Sequence, residues 1–181
     1  MVSRTLVVLT LLLAVQAAAS PAAEYRVKAA FLFNFTQFVE WPATAFNSAD
    51  APFVLCIAGN DPFGKALDDI VAGESVGTHR IAVRRMHDAE QIANCHLLFV
   101  SRSLESETAA ILTRVSSATS LLAVSDIDRF VARGGAIGLV VDAKRIRFEI
   151  SLPAAKHQNL KLSSQLLSLG RVIDAGPAEQ G

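Results

Sequence analysis

Apolar and polar positions along the chain alternate with two periods, and the change from one to the other marks the elements. Between Glu24 and Pro42 (EYRVKAAFLFNFTQFVEWP), Phe31, Leu32, Phe35, Phe38 and Val39 recur at i, i+1, i+4, i+7 and i+8, one stripe of a 3.6-residue helix. Glu24, Arg26, Lys28 and Glu40 are assigned to the polar side, and Pro42 ends the segment. Aromatic rings bury large areas, so a helix with three Phe on one face must dock. The expectation is a core helix laid across a sheet. A membrane-surface helix is the competing reading, but the polar side lacks the Lys/Arg excess that anionic lipid attracts.

Further along, Pro52–Gly59 (PFVLCIAG), Arg80–Arg85 (RIAVRR), His96–Ser101 (HLLFVS) and Ser120–Ser125 (SLLAVS) are short apolar or alternating runs of strand length. Helical segments are expected between them: Pro62–Val71 capped by Asp61, Asp88–Ala93, one starting at Ser103 or Glu105, and Asp126–Ala132 stopped by Gly134-Gly135. Ala72–Thr78 reads as a loop. Ala136–Val141 and Arg145–Ser151 flank Asp142-Ala143-Lys144 and should pair as a hairpin. Helical pieces near Pro153–Gln158 and Ser163–Val172 close the fold. Strands separated by helices imply βαβ units. The expected class is therefore a single α/β domain, a mainly parallel sheet with a C-terminal antiparallel hairpin and helices on both faces. It spans residues 24–175, with a frayed tail over 176–181.

Composition adds two constraints. The chain of 181 residues is 51% hydrophobic with zero formal net charge, which excludes disorder and a strong nucleic-acid field. Arg4, the apolar run Leu6–Val15 and Ala17-Ala18-Ala19 form the n-region, h-region and A-x-A site of a secretory leader. Residues 1–19 are expected to be a signal peptide cut after Ala19, with export to the periplasm and no membrane insertion afterwards. Cys56 and Cys95 are then an even pair in an oxidising compartment. A bridge would close a loop worth about 4 kcal/mol in the chain-entropy view; two buried, reduced cysteines are the alternative. A bridge would favour adjacent first and third strands with the second at an edge, a flavodoxin-like order.

Candidate chemistry is sparse. Gly59–Lys65 (GNDPFGK) fits the first seven positions of a phosphate-binding loop, but Ala66 stands where a Mg²⁺-holding hydroxyl belongs and Pro62 removes an amide. Helix capping explains the same residues. The four histidines and two cysteines show no metal-ligand spacing, and no G-x-S-x-G elbow is present. Asp126 and Asp128 read as capping, solvated residues, and Arg80, Arg84 and Arg85 as a solvated edge strand. No catalytic residue, cofactor or metal is assigned. In Arg145–Ser151 (RIRFEIS), Ile146, Phe148 and Ile150 face one side while Arg145, Arg147 and Glu149 face the other, with Arg147 and Glu149 placed to pair or to meet a partner. The second functional reading is a small-molecule binding protein with its ligand near Gly59–Gly64, at the strand C-terminal ends.

The blocks KAAFLFNFTQFVEWP, CIAGNDPFGKAL, CHLLFVS, LLAVSDIDRFVARGGAIGLVVDAKRIRFEIS and LKLSSQLLSLGRVI, in that order, resemble the YfiR family of exported bacterial proteins over Tyr25–Ile173. The resemblance implies an α/β sandwich and a non-enzymatic periplasmic regulator. Such a protein binds the periplasmic sensor domain of an inner-membrane signalling protein, a diguanylate cyclase or sensor kinase, and so represses cyclic-di-GMP signalling and biofilm formation. It also implies an outer-membrane lipoprotein as sequestering partner, homodimers and redox-sensitive action. Cys56 and Cys95 match one family cysteine pair; the second pair has no counterpart in Ser125–Val140. Glu149 in the RFEI block and Gln165 in SSQLL match motif positions expected at the partner surface.

Overall fold

Ser20 opens the first helix: its Oγ accepts from Ala23 N–H at 3.3 Å, and Pro21 follows where a missing N–H costs nothing. In the computed structural model, which describes residues 20–173, that helix is α1 (Pro21–Phe38). The chain continues through β1 (Val39–Glu40), β2 (Phe53–Ala58), α2 (Lys65–Val71), β3 (Ser75–Val76), β4 (His79–Met86) and β5 (Leu97–Val100). It goes on with α3 (Thr108–Ser117), β6 (Leu122–Ser125), β7 (Ile137–Asp142) and β8 (Arg145–Ile150). It closes with α4 (Leu152–His157), β9 (Lys161–Leu162), α5 (Ser164–Leu169) and β10 (Arg171–Val172). The expected leader, 1–19, and tail, 176–181, lie outside the described residues.

Eight strands form one mixed sheet in the order β10-β8-β7-β6-β5-β2-β4-β3. β4, β2, β5, β6 and β7 are mutually parallel, and β7–β8 is the expected antiparallel hairpin. β2 lies between β4 and β5, so the order inferred from a bridged cysteine pair holds. The pleat divides the core. Leu97 and Phe99 face α1, α2 and α5, with Leu32, Phe35, Leu67 and Leu166. Leu98 and Val100 face α3, with Ile111, Leu112 and Val115, and so the domain is the α/β sandwich its periodicities imply. Each buried strand is apolar on both faces because both are covered.

Several elements differ from the sequence reading. α1 stops at Phe38, since Val39 is drawn into a two-stranded antiparallel ladder with Leu162 of β9. α2 starts at Lys65, not Pro62: Asp61 Oδ1 takes the Phe63 N–H at 2.8 Å in a tight turn instead of capping the helix. Ser75–Val76 is a short strand against β4. Asp88–Ala93 is not helical, because the Arg84 guanidinium takes the carbonyls of Gln91 and Ala93 at 3.0 and 2.8 Å. Asp126–Ala132 is a run of turns; Arg129 at φ 58° breaks any helix there.

Candidate partner interface

The antiparallel hairpin presents exposed charged and apolar side chains together. β7 and β8 are joined through Ala143 and Lys144, at φ 46° and 63°, with Asp142 opposite Arg145. This is the two-residue turn whose twist suits paired strands, achieved here without glycine. On β8, Phe148 and Ile150 are buried and Arg145 and Arg147 exposed, as the alternation predicts. Gly170 lets β10 close over this face: a Cβ there would stand 2.5 Å from Phe148 and 2.7 Å from Ile150. Arg171 then lies opposite Glu149 and Val172 opposite Ile150, in parallel register.

Arg147 and Glu149 do not pair with each other. The Arg147 Nε lies 3.2 Å from Asp142 Oδ2, and Glu149 Oε1 takes the Arg171 guanidinium. Both side chains line a cleft of about 600 Å³ between the hairpin and the end of α5, together with Val141, Leu169 and Arg171. Val141, Leu169 and Val172, at 55%, 68% and 40% exposure, are three of the large apolar side chains left in water, and all three border this region. β10 pairs with Glu149 and Ile150, so among the described residues 145–148 of β8 keep an open outer edge. Gln165 is exposed on α5 outside the cleft wall, its carbonyl accepting from Ser168 Oγ at 2.8 Å. The structure thus unites two of the three expected partner residues and leaves the third one helix turn away.

The cysteines form a disulfide. Cys56 and Cys95 are bridged with Cα atoms 5.9 Å apart, tying the middle of β2 to the segment leading into β5. Arg84 Nη2 lies 2.9 Å from Cys95 Sγ, and Arg85 pairs with Asp61 and Asp68, so two of the three basic residues on this strand are engaged locally.

A charged cluster at the C-terminal ends of the strands escaped sequence reasoning. Asp126, placed at the end of β6, is buried, not solvated. Its Oδ2 takes Lys28 Nζ at 2.5 Å and Tyr25 OH at 2.8 Å, with Arg102 Nε at 3.4 Å. Lys28, assigned above to the polar side, is 1% exposed, and also meets Glu24 at 2.5 Å and the Tyr25 ring at 4.4 Å. Burial, then the Asp126 hydrogen bond, push the Tyr25 phenol up to about 12. The signal was present: Lys28, Leu32 and Phe35 stand at i, i+4 and i+7, so Lys28 belongs to the buried stripe.

The loop proposed as a ligand site is filled by the protein itself. Asn60 N–H donates to Ser103 Oγ at 2.9 Å, and Gly59, at φ 84°, has Ser103 where a side chain would go. Phe63 of the loop packs edge to face on Tyr25 and on Phe99. Three clefts found among the described residues have no lining residue in Gly59–Gly64. Among those residues no group of three or more His, Cys, Asp or Glu is placed to hold a metal. No helix among them is long and apolar enough to cross a membrane.

Fold and surface define a disulfide-tied α/β sandwich with an open, apolar-and-charged sheet edge. The chain belongs to the YfiR/HmsC-like family, whose sequence profile matches residues 25–171. No curated protein matches it at a significant level.

Proposed function

We propose that the protein is a periplasmic, non-catalytic regulator of cyclic-di-GMP signalling. It docks the edge formed by β8, β10 and α5 on the periplasmic sensor domain of an inner-membrane diguanylate cyclase or sensor kinase. The observation that carries this reading is the cleft where Arg147 and Glu149 stand beside exposed Val141 and Leu169. Apolar anchors ringed by charge are what a protein surface recognises, and family membership supports a regulatory role. Regulation follows if the protein binds one state of the sensor more tightly than another. An outer-membrane lipoprotein competing for the same edge, and self-association through it, belong to the same reading, as does export through cleavage after Ala19.

The test is capture from the native envelope by crosslinkers placed at Val141 and Leu169. A membrane signalling protein should be recovered, and Leu169→Asp should abolish its capture while leaving the melting temperature within a few degrees. Cyclic-di-GMP unchanged between deletion and complemented strains under every condition would overturn the signalling assignment. N-terminal sequencing beginning at Met1 would overturn export by cleavage. The small-molecule reading has little room at its expected place, since Ser103 fills the space beside Gly59.

A further inference from the structure

At the opposite end of the sheet, residues 43–51 cross the strands as a loop whose own backbone bonds are short-range turns, such as Ala45 N–H to Pro42 O and Ala51 N–H to Ser48 O. Two imidazoles tie it down. His96, just before β5, accepts Val54 N–H on Nδ1 at 2.9 Å and reaches Ala45 O with Nε2 at 3.1 Å. Those partners fix the neutral Nε2–H tautomer, because an amide can only donate and a carbonyl only accept. His79, at the start of β4, holds Ala51 O through Nδ1 at 2.6 Å. Phe46 of the loop is sandwiched between the two rings, 3.6 Å from His79 and 4.6 Å from His96. Phe53 stacks beneath His96 at 5.0 Å, and Trp41 Nε1 donates to the His96 and Ser120 carbonyls at 3.2 and 3.0 Å.

We propose that residues 43–51 form an acid-released strap, freed when His96 takes a second proton. The proton would enter on Nδ1, where the Val54 N–H already points, so an accepted hydrogen bond becomes two opposed donors. The new charge would sit against the Phe46 and Phe53 rings, with His79 of β4 close enough to repel it. Glu90, from the turns after β4, and Arg114, from α3, share a cleft wall with His96 and are of opposite sign; the loop itself offers only uncharged Thr44, Ala45 and Asn47 there. Burial, partly opposed by the Ala45 carbonyl and aided by His79, lowers the His96 pKa below 6.5. The released form therefore binds the proton first. Closure is fully favoured above pH 6.5 and weakens as pH falls below it. Release would open the cleft of about 600 Å³ that Thr44, Ala45 and Asn47 form with Thr113 and Ser117 of α3.

Hydrogen exchange read by mass spectrometry on the disulfide-intact protein, corrected for intrinsic rates, tests this from about pH 7.5 to 5. Protection of residues 43–52 should fall by up to about tenfold per pH unit, while β5 and β6 hold theirs. In His96→Gln, whose amide can still reach Ala45 O, the strap's pH dependence should vanish. In His79→Gln it should persist with a midpoint shifted upward, since the repelling neighbour is gone. A wild-type strap with constant protection, or a His96→Gln variant that keeps the pH step, overturns the proposal. Should His96→Gln fail to fold, imidazole ¹⁵N shifts of the wild type decide: His96 titrating apart from strap release overturns the proposal as well.

Discussion

The two ends of the sheet solve the same problem in opposite ways. At the C-terminal end, α1 is pinned by full charges: Lys28 and Asp126 are 1% exposed and each is the other's partner. At the N-terminal end, the 43–51 loop is pinned by imidazole rings, with His96 bonded in one tautomer between Val54 and Ala45. A buried ion pair fails when a partner is removed, because the survivor keeps its charge in a medium that cannot solvate it. A buried imidazole fails when a proton is added. One end is therefore vulnerable to mutation, the other to acid.

The sharpest way to break the comparison is at the charged end. Asp126→Ala leaves the buried Lys28 with Glu24 alone and should cost about 3 kcal/mol, read from the urea midpoint. The double variant Lys28→Met with Asp126→Leu should recover most of that loss, because no buried charge remains and Glu24 and Arg102, which lose a partner, reach water. A double variant as weak as the single would show that packing, not charge, pins α1. Next in size is the disulfide that ties β2 to the approach to β5. Replacing Cys56 and Cys95 together by Ala should cost about 2–4 kcal/mol, with β2 and β5 losing exchange protection together. Smaller still is the acid response: above pH 6.5 the His96 contribution is complete, and it declines as pH drops. Thermal melts between about pH 7.5 and 5 should decline less in His96→Gln than in the wild type. The smallest effect belongs to the partner edge. Glu149→Gln loosens Arg171 but should change stability by no more than about 1 kcal/mol, while weakening partner capture.

How much of this was legible depended on whether local pattern or distant contact decided the outcome. The strand order followed from Cys56 and Cys95 once a bridge was allowed, because two Cα atoms cannot be joined across an intervening strand. The hairpin and the faces of β8 followed from strict alternation. Asp126 was misread because a carboxylate in a turn is locally sufficient as a cap; the Lys28 that buries it lies 98 residues away in sequence. The Asp88–Ala93 segment was misread for the same kind of reason, its carbonyls being taken by Arg84 and not by its own amides. Trp41, Phe46 and the histidines carried no periodicity at all, since a loop that stacks rings obeys no repeat.

The two-residue stub β10 has a consequence for keeping the protein in solution. By capping Glu149 and Ile150, it leaves an open template of only four residues on β8, too short to recruit like strands one after another. A chain ended at Gly170 would bare the whole of β8. Such a chain should polymerise edge to edge on concentration, seen as rising light scattering, where the intact protein stays clear.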